Sequence, residues 1–453
     1  MEPIAQGGEA LARRLAAGLR PEARLWVDRV SALGRRRGER VYLVGGLVRD
    51  LLLGLPHRDL DLTIEGEGGD FAEALADSVG AGEAGGSVLH HTEFRTAVYT
   101  APDGFEIDLV TARRESYPAP ASLPRVEPGD LASDLGRRDF AANALAIRIA
   151  PEPAPELIDL FDGAGDLERR HLRVLHSASF VDDPTRILRG VRLEARLGFR
   201  FDPGTEELAR AAARDGVFSH LSGSRLRHEL VFLLEEPGIA IPALARLAGL
   251  GVLAALAPEG APELRWTPEI EADLLRTEAA LAEPWAERLA DTGLRRWRLL
   301  WMALTRPLGG DAEVDPLQER LLLEGADAKV LAGFAGRLSR TRQALSQRSG
   351  AARPHQVVEA LAHLSGEELL LLRIDSDPAV REAAALYVDT LRALPIALRG
   401  ADLRAQGIPP GPALGEALRA VRRARWDGEI GPEEELAFAL THLESGAAGG
   451  AGS

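Results

Sequence analysis

Residues 41–65, VYLVGGLVRDLLLGLPHRDLDLTIE, decide the fold of this chain. They open on an apolar run of β type, Val41 to Val44, which breaks at Gly45-Gly46. A short amphipathic stretch follows, with Arg49 and Asp50 at its start and Leu51, Leu52 and Leu53 along it; Gly54 and Pro56 stop it. A second apolar run then carries Asp59 and Asp61. Side chains two apart on a strand share a face, so the two carboxylates aim at one spot while Leu60 and Leu62 pack inward. Mg²⁺ takes one or two carboxylates together with phosphate oxygens and water. A helix start beside glycines offers free backbone N–H groups to an anion. A Gly-Gly doublet alone is usually a turn, and Asp-Leu-Asp alone is usually a half-solvated strand. Their order, about a dozen residues apart, is what makes the combination specific for a metal-and-phosphate site.

The run GGLVRDLLLGLPHRDLDL resembles the first motif of class II tRNA nucleotidyltransferases and bacterial poly(A) polymerases, members of the DNA polymerase β-like superfamily. The resemblance implies an α/β N-terminal catalytic head with a small mixed sheet, followed by an all-α neck, body and tail. It also implies phosphoryl transfer with two Mg²⁺ ions at Asp59 and Asp61, and Gly45, Gly46, Arg49 and Arg138 around the triphosphate.

Composition agrees with a soluble enzyme of several units. The chain has 453 residues, with 45% hydrophobic and 27% charged, and no cysteine. That length exceeds one core, and the lack of cysteine excludes disulfides and thiolate metal sites. No uncharged apolar run approaches the roughly 18 residues of a membrane span, and the N-terminus lacks a basic-then-apolar signal sequence. A cytoplasmic location is expected. The formal charge of −15 argues against a generally basic coat for nucleic acid, without excluding a local basic groove. Lys329 is the one lysine, a bias that reflects base composition more than function.

From 41 to 150 the apolar pattern alternates between strand and helix periods. A helix is expected over Asp70 to Ser78, and strands over Thr96–Thr100 and Phe105–Val110 joined by the turn Ala101-Pro102-Asp103-Gly104. Glu106 and Asp108 share a strand face, so either can supply a third carboxylate; an acidic solvent face reads the same way. The resembling enzymes place a glutamate on such a strand, which favours Glu106. The proline-rich SYPAPASLPRVEPG is expected to be a loop. In DLGRRDFAANALA, residues 134–146, Arg137, Arg138 and Asp139 are expected to open a helix. This stretch resembles the second family motif, with Ala141 where threonine is usual. The resemblance gives Arg138 a triphosphate contact, and Asn143 or Asp139 the task of holding the loop. LIDLFDGAGDLERRHLRVL, 157–175, resembles the third motif at Asp162-Gly163 and Asp166-Leu167, an architectural turn.

Residues 179–199, SFVDDPTRILRGVRLEARLGF, place Pro184 at a first helical position after Asp183 as N-cap. Arg186, Arg189 and Arg192 recur every three residues and share a helix face, which a capped helix with a basic solvent side would also show. The stretch resembles the family's Glu-Asp-x-x-Arg motif, with Asp182 replacing the leading glutamate. That motif implies a protein template in which Asp183 and Arg186 read the Watson–Crick edge of C or A, with Arg189 and Arg192 also at the nucleotide. A carboxylate accepts from an exocyclic amine and a guanidinium donates to ring acceptors. Capping and templating draw on the same Asp183 oxygens. LSGSRLRHELVFLL, 221–234, resembles the fifth motif, in which Ser222 caps a helix bearing Arg225 and Glu229 that braces the neck.

The expected domains are a head over 1–150, a neck over 151–236, a helical body over 237–340, an RNA-binding tail over 341–445 and disorder over 446–453. In the tail, Arg419, Arg422, Arg423 and Arg425 suit RNA phosphates, as they would any basic surface helix. The expected activity is addition of CMP, AMP or both to the tRNA 3′ end, with ATP and CTP as substrates. Addition of A alone is the alternative, and poly(A) synthesis comes third. The sequence leaves the oligomeric state open. A degenerate RNA-binding relative and a small-molecule nucleotidyltransferase are the readings from other classes. Intact Asp59, Asp61 and Arg138 argue against the first, and the neck motif with a long helical C-terminal half against the second.

Overall fold

The computed structural model describes residues 8–57, 59–80, 86–91, 95–152, 155–347 and 353–449. By internal packing the chain forms two units, residues 1–229 with 242–256, and residues 230–241 with 257–453. The expected head and most of the expected neck fall together in the first.

In the first unit, helices α1 (Gly8–Gly18) and α2 (Pro21–Arg37) precede strand β1 (Arg40–Val44). Pro21 starts α2 at its first turn and Gly38, at φ 68°, ends it. Helix α3 (Gly46–Leu53), β2 (Leu60–Glu65) and α4 (Gly68–Val79) follow. Next come β3 (Ser87–His91), β4 (Thr96–Thr100), β5 (Glu106–Thr111), β6 (Arg113–Ser116) and β7 (Arg125–Pro128). Helix α5 (Leu131–Gly136) and strands β8 (Leu145–Ala150) and β9 (Glu156–Asp159) complete the head. The seven-stranded mixed sheet runs β3-β4-β5-β2-β1-β8-β9. β2 and β5 are parallel; the other neighbouring pairs are antiparallel. Leu43, Leu60, Leu62, Ile107 and Leu109 are fully or almost fully buried in it, which is the alternation the two-residue period required.

Two expectations need correction. Arg137 closes a helix instead of opening one: Asp130 caps α5 by accepting from Ser133 N, the chain turns at 137–139, and a single 3₁₀ turn at 141–143 leads into β8. The helix expected from that start does not form, and Leu145 begins a strand that pairs with β9 at Asp159. The proline-rich stretch is also not all loop, since β6 and β7 zip into an antiparallel ribbon from Arg113↔Pro128 to Ser116↔Arg125.

Helices α6 (Gly163–Arg169), α7 (Ser179–Asp182), α8 (Thr185–Leu197), α9 (Pro203–Arg214) and the first half of α10 (Gly223–Glu235) follow in this unit. Asp159 caps α6 by accepting from Gly163 and Ala164 N–H groups. A Cβ on Gly163 would stand 2.2 Å from the Ala141 carbonyl, so only glycine permits that approach.

The second unit is helical, from Pro268–Ala280 to Glu435–Gly449. The helix Pro412–Trp426 carries the four tail arginines. Arg425 faces inward, bonded to Glu435 and to the Ile430 and Pro395 carbonyls, and Arg423 pairs with Glu359. Backbone helix continues to Gly449, so 446–449 are ordered into it, while 450–453 lie outside the described residues. Among the described residues no helix is long and apolar enough to cross a membrane.

Candidate active site

The turn after β1 fixes the floor of the site. Gly45 sits at φ 69° with its N–H donated to the Leu145 carbonyl. A Cβ there would meet Arg138 Nη1 at 2.7 Å, so the guanidinium of Arg138 lies directly on the glycine. Gly46 starts α3 beside it. Arg138 is oriented by Asp134, which accepts from its Nη2 at 2.8 Å. Asp134 is fully buried and also accepts two bonds from Arg137 and one from Thr63. Burial pushes its carboxyl up, but Arg137 and Arg138 outweigh that and hold it below the usual carboxylate range.

The carboxylates lie across the turn. Asp59 is exposed just ahead of β2, and Asp61 is half-buried within it. The parallel register sets Asp61 beside Asp108 of β5, whereas Glu106 lies two residues earlier, opposite Thr100 of β4. Burial raises the Asp61 carboxyl above its ordinary value, and the neighbouring Asp108 raises it further; His57 and Arg138 offset part of this. Asp108 is raised by burial, then by Asp59 and Glu106. The strand edge is thus a group of oxygen donors that repel one another. Among the described residues no three acidic or histidine side chains converge on one point. The donor set therefore fits a hard divalent ion held by one or two carboxylates and completed by phosphate oxygens and water, the preference of Mg²⁺.

Opposite lies the neck. A cleft of about 290 Å³ brings Gly45, Gly46, Asp61 and Arg138 together with Asp183, Arg186 and Arg189. Asp183 caps α8 as expected. Its Oδ1 accepts from Thr185 N at 3.0 Å and from Arg225 Nη2 at 2.7 Å. Arg186 is almost fully buried, donating to Ser179 Oγ at 2.7 Å and to the Arg137 carbonyl at 2.8 Å, with Tyr117 Oη at 3.4 Å. Arg189 forks onto Asp139 Oδ2 at 3.0 and 2.8 Å. Burial alone would raise Asp139; Arg189 and the Asn143 amide bring it down to about 2.

Four expected residues, Asp59, Glu106, Arg49 and Arg192, are outside the set lining the cleft. Arg49 is buried, its guanidinium bonded to Asp50 and Asn143, so it holds α3 against the 141–143 turn, with Nη2 3.5 Å from where a Cβ on Gly46 would stand. Three residues join the site unannounced, Tyr117, Glu115 and Arg137, which line the cleft; Arg225, expected on a helix that braces the neck, donates to Asp183. Arg137 bridges Asp134 and Glu115, and the Tyr117 hydroxyl donates to Glu115 at 3.1 Å. Arg225 also donates to the Ala121 carbonyl at 2.7 Å, while Ala121 N donates to the Val181 carbonyl, so the middle of the proline-rich stretch is tied to the neck. In the sequence, the alternation in Glu115-Ser116-Tyr117 was a signal for the first two; the others depend on tertiary contacts.

Residues 41–173 match the model of the poly A polymerase head domain. An A-adding tRNA nucleotidyltransferase of Geobacter sulfurreducens is 35% identical over 89% of this chain, which spans 45% of that relative's length. A CC-adding tRNA nucleotidyltransferase of Deinococcus radiodurans is 39% identical over 77% of this chain and 90% of its own. The Thermotoga maritima CCA-adding enzyme, solved with tRNA, superposes with a TM-score of 0.72 at 28% identity, covering 98% of this chain and all of that one. Head motif, neck helix and overall likeness agree, and the chain belongs to the tRNA nucleotidyltransferase and poly(A) polymerase family.

Proposed function

We propose that this protein adds AMP, CMP or both to the 3′ end of tRNA from nucleoside triphosphates, acting in the cytoplasm without an RNA template. The observation that carries this reading is the cleft that joins Asp61 of the carboxylate edge and the phosphate turn to Asp183 and Arg186. Asp61, with Asp59 or Asp108 beside it, would hold Mg²⁺ through one or two carboxylates per ion, Asp108 taking the place expected of Glu106 because it is the register partner of Asp61. Bound there, two such ions would favour the ionised 3′ hydroxyl and neutralise charge on departing pyrophosphate. Gly45, Gly46 and Arg138 receive the triphosphate, so that the 3′ oxygen forms a bond to the α-phosphorus as the bond to the β-phosphate oxygen breaks. Arg186 is fixed in orientation by Ser179 and the Arg137 carbonyl and faces the ring acceptors of the base. Because the cap and Arg225 both draw on Asp183 Oδ1, its Oδ2 can accept from the exocyclic amine, which suits A and C and disfavours G and U.

The proposed division is a head to 150, a neck to 236, a body to 340 and a tail to 445, the tail engaging tRNA through Arg419 and Arg422. The A-adding name of the Geobacter relative supports a second reading, addition of A alone after another enzyme has supplied CC. Defined tRNA ends separate the two. Offered tRNA lacking CCA, the protein incorporates CTP if it builds the whole end; offered tRNA ending in CC, it incorporates ATP under either reading. Failure to use ATP on the second substrate and CTP on the first would overturn the proposal.

A further inference from the structure

A chain of buried polar contacts runs from the base-selecting helix to the carboxylate segment. Arg189 on α8 donates to Asp139 Oδ2 at 2.8 Å. Asp139 Oδ1 accepts from Asn143 Nδ2 at 2.9 Å, and Asn143 Oδ1 accepts from Arg49 Nη1 at 2.7 Å. Arg49 Nε donates to Asp50 Oδ1 at 2.8 Å, and Asp50 Oδ2 bonds His57 Nδ1 at 2.9 Å. Asp139, Asn143, Arg49 and Asp50 are all less than a tenth exposed. The relay starts in the cleft, where Arg189 is about half exposed. It ends two residues before Asp59, with the His57 ring edge 3.7 Å from where a Cβ on Gly46 would stand.

We propose that the relay Arg189–Asp139–Asn143–Arg49–Asp50–His57 couples the choice of base on α8 to the placing of the Asp59–Asp61 carboxylates, with Asn143 and His57 as positioning residues. It rests on the nucleotidyl-transfer reading above. Its charges alternate, so each cation is satisfied by the anion beside it, and moving one end changes the geometry demanded of the next pair. Asn143 is the neutral joint and is polarised one way: its oxygen must face Arg49 and its amide must face Asp139, since the flipped amide would set donor against donor and acceptor against acceptor. Arg49 and Asp50 tie this joint to α3, the helix that begins at the phosphate turn. Asp50 and His57 then tie α3 to the segment leading into β2. A base that engages Arg189 and its neighbours correctly therefore favours one arrangement of the carboxylates, and a base that displaces Arg189 releases it. Coupling of this kind is reciprocal: the metal must in turn favour the correct base.

The test measures binding without turnover. Mn²⁺ affinity of the full-length protein is read by electron paramagnetic resonance in the presence of saturating α,β-methylene analogues of ATP, CTP or UTP. The wild type is expected to bind Mn²⁺ at least about fivefold more tightly with an accepted base than with UTP analogue. Asn143→Leu and His57→Leu should abolish that difference. His57→Asn, whose amide can still donate to Asp50, should restore most of it, and thermal unfolding of each variant checks that the fold is intact. A purely structural role would lower the melting temperature and leave the base dependence in place. Equal Mn²⁺ affinity with all analogues in the wild type, or a base dependence that survives in folded Asn143→Leu or His57→Leu, would overturn the relay. Absence of any nucleotide binding would instead sink the nucleotidyl-transfer reading and the relay with it.

Discussion

Asp61 of β2 and Asp108 of β5 are register partners across the parallel pair of the seven-stranded sheet, each raising the demand for a cation at that edge. Their adjacency distinguishes two carboxylates that share a strand. Asp108→Asn should lower kcat by at least about a hundredfold, the scale of losing one preorganised electrostatic contact, whereas Glu106→Gln should cost less than about tenfold. Single-turnover incorporation of ATP into tRNA ending in CC reads both. Equal losses would return Glu106 to the site.

The same pair makes a stability prediction. A carboxyl whose folded pKa is raised holds its proton better folded than unfolded, so its ionised form opposes folding above that value and the penalty fades as pH falls through it. Burial and like charge raise both Asp61 and Asp108. Metal-free Asp108→Asn should therefore melt above the wild type at pH 7, and the gap should close on acidification. Differential scanning calorimetry in chelator checks the sign, which is opposite to the effect on catalysis.

Asp139 behaves in the other direction. Burial would raise it, but Arg189 and Asn143 hold it at about 2. It contributes stability above the unfolded value near 4 and loses it as pH falls toward 2, a contribution of about 2 kcal/mol by linkage. Asp139→Asn should remove that much at neutral pH and flatten the acid limb of an unfolding titration. Arg189, half exposed, can reach water in the variant, which keeps the cost below that of a fully buried unpaired charge.

Gly45 cannot carry a side chain where it stands. At φ 69°, and with a Cβ 2.7 Å from Arg138 Nη1, Gly45→Ala strains the turn by about 1–3 kcal/mol and displaces the guanidinium from the phosphate turn. The expected result is a KM for ATP raised about tenfold or more, with tRNA binding unchanged by gel shift. An unaltered KM would remove Arg138 from the triphosphate.

Arg225 holds Asp183 and the Ala121 carbonyl at once. One charge-assisted hydrogen bond contributes about 1.5–3 kcal/mol, so Arg225→Ala should relax discrimination against UTP by about tenfold or more and speed proteolysis within 117–124. Faster cleavage with unchanged discrimination would restrict Arg225 to bracing the chain.

The sequence revealed the local features of this molecule and missed those set by distant contacts. Val41 to Glu65 announced strand, turn, helix and strand because apolar period and glycines act locally. Pro184 and Asp183 likewise announced the start of α8. Nothing local says that Asp108 and not Glu106 faces Asp61, since that follows from how β5 registers on β2. The resemblance placed Arg49 at the triphosphate, but nothing local says that Asn143, far along the chain, accepts from its guanidinium. Arg137 and Arg138 read as a helix start; the cap at Asp130 had already begun and ended that helix. The pairing of β6 with β7 is carried by residues with weak strand patterning, and is held by Arg114–Glu127 across the ribbon.

The central claim is that the carboxylate edge and the phosphate turn form one centre for nucleotidyl transfer. The most direct measurement is Mg²⁺-dependent incorporation of labelled ATP into tRNA ending in CC by the wild type and by Asp61→Asn. Rapid incorporation by the wild type, with release of pyrophosphate and a loss of at least about a hundredfold in the variant despite normal tRNA binding, is the predicted result. Incorporation that persists at the wild-type rate in Asp61→Asn would contradict the account.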